Sequence, residues 1–203
     1  MGDAFNNGSL LSIPIRKRAA NLALSGYYAS LSFPGYRDTL NNNEKYTMER
    51  YQKLMIGNAF LVIVISMFAG FMLGFGLIGG LELYPGTIIE MPYYGSADGW
   101  ARAHAGGLTN GLLIIGVALA LPLIPLSEKM RKFNVYGFIY IGWANTAFYW
   151  FGNAAGSRAL SFGDNPLGAS NIPGAIGFGL AFAGALLIVW LLTHGALAVL
   201  KEK

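Results

Sequence analysis

The sequence predicts an all-α, polytopic membrane protein, a bundle of four transmembrane helices in one domain. Three observations carry that expectation. Hydrophobic residues make up 54% of the 203 and charged residues only 12%, about half the share of a soluble domain. Four apolar runs are each long enough to cross a hydrocarbon core, which takes about 20 helical residues. Of the 14 Lys and Arg, all but Arg102 and Arg158 fall on one side of those runs.

The runs are Met55–Leu81, Ala105–Ser127, Phe133–Ala155 and Ala175–Leu200. Residues 1–54 form a polar, Asn-rich leader, expected to be cytoplasmic and in part disordered or interfacial. Leu22, Leu24, Tyr27 and Tyr28 are the apolar anchors of its interfacial candidate, Ala19–Tyr28. The short run Leu10–Ile15 lies on the wrong side of its charges to be a secretory signal. Seven cations from Arg16 to Lys53 precede the first run, Lys129, Arg131 and Lys132 join the second to the third, and Lys201 and Lys203 follow the last. Cations gather on the cytoplasmic side of membrane proteins, so both termini should face the cytoplasm. The expected location is a bacterial inner membrane. Basic flanks on anionic lipid account for the net charge of +4, so the bilayer is the expected partner and nucleic acid is not.

Without cysteine there is no thiolate nucleophile, iron–sulfur cluster or Cys-ligated zinc. Phosphate-loop, zinc-protease and nucleophile-elbow motifs are also missing. Glu82 and Glu90, around Tyr84-Pro85-Gly86, read as solvated loop carboxylates. Among 28 glycines, Gly70/Gly74, Gly76/Gly80 and Gly107/Gly111 are four apart. That spacing lets membrane helices approach closely; it also makes a smooth surface able to accept a flat macrocycle. Spacing alone leaves both readings open.

In the third run, about 100° per residue puts Gly142, Asn145, Tyr149, Gly152 and Asn153 on one face. Trp143, Ala147 and Trp150 fall on the other, fit for lipid. The polar stripe must be satisfied inside the bundle, either by interhelical hydrogen bonds or as the wall of a polar pocket. Counting from the expected outer ends puts Tyr149 and Asn110 each about 9 Å deep, level with one another and below His104.

His104 stands in GWARAHAGGLTNG, residues 99–111, after a loop holding Asp98, Trp100 and Arg102. An ionisable group at the edge of a membrane helix is costly, and imidazole is the commonest metal ligand. His104 is therefore either a hydrogen-bonded structural residue or a ligand to a metal or haem iron. His194, near the inner end of the last run, reads as structural. The two histidines are separated by most of a core about 30 Å thick and cannot clamp one haem within a subunit. A haem on His104 would keep its sixth position open unless another residue type filled it, which favours chemistry over electron relay.

These residues resemble the membrane-bound styrene oxide isomerases. The similarity runs through GGLELYPG at 79–86 with Ile88-Ile89-Glu90, GWARAH at 99–104 with Asn110-Gly111, and GWAN at 142–145 with Ala147-Phe148-Tyr149. It continues in Arg158, Leu160, Phe162-Gly163 and Asn165, and covers about residues 60 to 200 with its blocks in order. The resemblance implies a homotrimer of four-helix subunits with haem b at the interfaces, His104 as axial ligand, and Asn110 and Tyr149 as catalytic, substrate-contacting residues. It implies a Meinwald rearrangement of a small apolar epoxide to an aldehyde, with the iron as Lewis acid. Tyr149 and Asn110 would steady the developing charge on oxygen. Trp100, Arg102 and Arg158 are the further cofactor-binding candidates, the two arginines for the haem propionates. His104 and Asn110 differ by about 240° around their helix, so one subunit would ligate iron while a neighbour's Asn110 and Tyr149 line the other side. Two features depart from the family: the long leader, and Ile141 where a carboxylate usually precedes GWAN. The alternatives are a haem b-binding sensor or electron carrier, and a cofactor-free transporter or packing subunit.

Overall fold

The computed structural model describes residues 42–201; the leader through residue 41, with its Ala19–Tyr28 segment, and the last two residues lie outside the described residues. Along the chain come α1 (Asn42–Ile78), β1 (Gly80–Tyr84), β2 (Thr87–Glu90), α2 (Ala97–Ala120), a 3-10 turn (Leu121–Leu123), α3 (Glu128–Asn153) and α4 (Ile172–Lys201). Three of these helices are long and apolar enough to cross a membrane: α1, α2 with its 3-10 extension, and α4. At 26 residues, α3 is also long enough by its rise of about 1.5 Å per residue. Its asparagines, tyrosines and glycines dilute its apolar character. The chain is thus a predominantly helical membrane protein.

Local chemistry sets the helix ends. Ser96 caps α2 by accepting the Gly99 N–H at 3.0 Å, with Asp98 in the first turn, where a carboxylate complements the helix dipole. Ser127 and Glu128 do the same for α3. Asn171 accepts the Gly174 N–H at 2.8 Å as α4 begins. The α2 start lies two turns outward of the apolar run, because Asp98, Arg102 and His104 mask it in a hydropathy reading.

A short hairpin between α1 and α2 is added to the otherwise helical fold. β1 and β2 pair antiparallel from Gly80 against Glu90 to Tyr84 against Thr87. Gly86, at φ +84° after Pro85, supplies the left-handed residue such a turn needs. Glu82 accepts the Gly86 N–H at 2.8 Å.

Two apolar clusters hold the bundle. Met55, Ile114, Leu121, Val135, Phe138, Ile141 and Leu191 pack together, each at most 2% exposed. A second cluster joins Ala69, Trp100 and Ala103 to Met72, Leu73, Tyr149 and Trp150. Glycines set the close helix contacts: a Cβ on Gly107 would strike Ser66 of α1, on Gly111 Ile63 of α1, and on Gly137 Leu191 of α4. The packing reading of Gly107/Gly111 therefore holds within one chain. Phe60, Phe68 and Phe71 on α1 and Phe182, Leu186 and Val189 on α4 are each about half exposed or more, as lipid-facing or subunit-facing residues are.

Candidate functional site

His104 sits two turns inside α2, facing α1. A Cβ on Gly70 would come within 2.8 Å of His104 Nδ1 and 3.0 Å of Cε1, so the ring lies in a cradle that only glycine leaves open. Nδ1 is 2.9 Å from the Ser66 carbonyl oxygen. A carbonyl only accepts, so Nδ1 carries a proton, and in the neutral ring it is Nε2 that keeps the lone pair. Ser66, 1% exposed, in turn donates its hydroxyl to the His104 carbonyl. Two reciprocal bonds fix both ring and backbone. Among the described residues there is no cluster of three or more His, Cys, Asp or Glu that could hold a bare metal ion. A lone imidazole with a free Nε2 instead fits an ion that brings most of its own ligands, as haem iron does.

On another face of α2, Asn110 and Gly106 meet Asn145 and Tyr149 of α3. Asn145 Nδ2 donates to Asn110 Oδ1 at 3.3 Å. Asn110 Nδ2 is buried with no hydrogen-bond partner among the described residues. The Tyr149 ring lies against Gly106, where any Cβ would overlap it. Tyr149 is thus level with Gly106, and Asn110 lies one turn deeper, beside Asn145. This corrects the expectation that the two are level; the early start of α2 moves Asn110 further from the outer end. His104 contacts Ser66 and Gly70 of α1 whereas Asn110 contacts Asn145 of α3, in keeping with the angle between His104 and Asn110.

Above Tyr149 opens a cleft of about 160 Å³, lined also by Gly99, Arg102, Phe148, Arg158, Leu160 and Leu167. Arg102 pairs with Asp98 in the preceding turn, and Arg158 reaches the same carboxylate at 3.9 Å. Neither pairs with Glu82 or Glu90. Arg158 and Ala159 are held at φ 55° and 54°, a region that costs non-glycine residues energy. The enclosing loop offsets this through Asn165 to Ser157 O at 3.0 Å and Ser157 N to Ala169 O at 2.9 Å.

Trp100, expected as a cofactor contact, is fully buried. Its Nε1 donates to Tyr94 O at 2.8 Å, and its ring meets Tyr94 and Trp150 edge-on at 4.9 Å. That position supports packing behind the site. Trp150 is correspondingly turned inward rather than to lipid. Burial pushes the Tyr94 phenol above its usual value. Asn153, grouped with the polar stripe, clamps the start of α2 instead, accepting the Ser96 N–H at 3.0 Å. Ile141 is in the apolar core. His194 lies at the far end of α4 with its ring stacked on Trp190 at 5.3 Å.

Ser66 and Gly106 were not among the residues singled out from sequence. A lone serine within the apolar run of α1 was the available sign for Ser66. Gly106 carried no sign beyond its neighbour Gly107.

A family model described as styrene oxide isomerase matches residues 51–200. A styrene-oxide isomerase of Pseudomonas fluorescens is 41% identical over 155 residues, covering 75% of this chain and 88% of that protein.

Proposed function

The chain belongs to the styrene oxide isomerase family and is an epoxide isomerase, and from that premise we propose that it converts an aryl epoxide to the aldehyde at a haem b site shared between subunits. His104 would hold the iron through Nε2. The carrying observation is the Nδ1 contact to Ser66 O, which orients the ring and raises its basicity as partners of metal-bound histidines do. Gly70 lies against the ring, and one turn on, an added Cβ at Gly74 would meet nothing within 4 Å, so α1 offers a smooth, open strip there. Arg102 and Arg158 would pair the propionates.

The haem, when bound, supplies a Lewis-acidic iron for the epoxide oxygen. The chain's own groups then act on what that chemistry creates. The Tyr149 hydroxyl donates to the oxygen as its benzylic C–O bond breaks, and the unpaired Asn110 Nδ2 offers a second donor. Donors already fixed in a dry site lower the barrier without reorganising. A hydride moves from the neighbouring carbon to the benzylic cation, the carbonyl forms, and no atom is gained or lost. The apolar surroundings keep water from the cation.

We further propose four spans, with α3 as the third, in a homotrimer within a bacterial inner membrane, both termini cytoplasmic. Support for α3 comes from its satisfied polar groups: Thr146 on Gly142 O at 2.7 Å, Asn134 on Met130 O at 2.9 Å and Asn145 on Asn110. Styrene oxide deuterated at the terminal carbon tests the reaction. The aldehyde should carry one deuterium at the adjacent carbon; its replacement by solvent hydrogen from the first turnover would overturn the hydride shift.

A further inference from the structure

At the end of the bundle remote from the cleft, α3 and α4 enclose a groove of about 450 Å³ lined by Lys129, Met130, Lys132, Phe133, Tyr136 and Trp190. We propose that it binds one anionic phospholipid per subunit, the phosphate on Lys129 and Lys132 and an acyl chain along Phe133, Tyr136 and Trp190.

The order of residues matches such a molecule. Lys129, Lys132, Phe133 and Tyr136 follow at helical spacing, so one face of α3 changes from cationic to apolar over about 10 Å. The cationic end is also the N-terminal end of α3, the positive end of its dipole. Glu128, the carboxylate beside it, already accepts from Tyr51 at 2.8 Å and Arg131 at 2.9 Å. Lys129 and Lys132 have no carboxylate partner among the described residues. Trp190 is fixed as the groove's far wall, edge-on to Phe133 at 5.4 Å and stacked on His194 at 5.3 Å. Aromatic rings at this depth and lysines reaching outward are the usual partners of a headgroup boundary. The headgroup phosphate of an anionic lipid would supply the negative charge that both ammonium groups lack among the described residues.

The test measures lipid retained by the full-length protein from nanodiscs of equal phosphatidylglycerol and phosphatidylcholine with identical chains. Wild type should favour phosphatidylglycerol by on the order of tenfold, the effect of two lysines near an anionic surface. Lys129→Gln with Lys132→Gln should abolish the preference and leave epoxide turnover unchanged; Trp190→Ala should reduce retention of both lipids. Equal retention by wild type, an undiminished preference in the double variant, or a photo-crosslinker at Tyr136 capturing a second copy of the chain would each overturn the assignment.

Discussion

Ser66 and Gly70 lie one turn apart on α1 and act on the same ring. The Ser66 carbonyl oxygen accepts a hydrogen bond from Nδ1–H at 2.9 Å, and Gly70 leaves the space in which the ring lies. Gly70→Ala should push the ring off that contact and weaken cofactor binding by about 10- to 100-fold, the range for lost partners of a ligand histidine; titration of the apoprotein with haem measures it. Tyr149 packs against a different glycine, Gly106, and its hydroxyl is the donor that the proposed reaction would use. Tyr149→Phe should lower kcat by about 10²-fold or more, as removal of one oxyanion donor does, with the cofactor absorption unchanged. Loss of cofactor in that variant would instead make Tyr149 structural.

Trp100 ties three segments together: α2 through its backbone, the loop before α2 through Tyr94, and α3 through Trp150. Trp100→Ala should destabilise the bundle by about 3–5 kcal/mol, read as a lower unfolding temperature in detergent. The helices themselves were legible, since a membrane span needs only length and apolarity. Their ends were not, because caps such as Ser96 and charged residues such as Arg102 lie inside the α2 helix or at its start yet interrupt an apolar run. The hairpin was hidden for a related reason. Gly80 and Leu81 read as the tail of the first span, although Pro85-Gly86 carries the turn. Trp150 went to the lipid side because a helical wheel gives angles between residues but not which neighbour each angle meets.

On the proposed reading, assembly would bring together His104, which contacts α1 through Ser66 and Gly70, and the Asn110 and Tyr149 side chains at the contact of α2 with α3. The separation of His104 from Asn110 is readable from six residues of helical phase; a neighbouring subunit that would reunite them is a family expectation. Co-expressing His104→Ala chains with Tyr149→Phe chains tests it. Mixed assemblies would contain sites with one chain's intact His104 and another's intact Tyr149, so turnover should return well above either variant alone. No recovery in verified mixed assemblies would put both residues in a single-chain site. The deciding observation is the absorption spectrum of detergent-purified wild type beside His104→Ala. A Soret band in wild type, lost together with epoxide turnover in the variant, is the predicted result; full turnover by wild-type protein without a Soret band would contradict it.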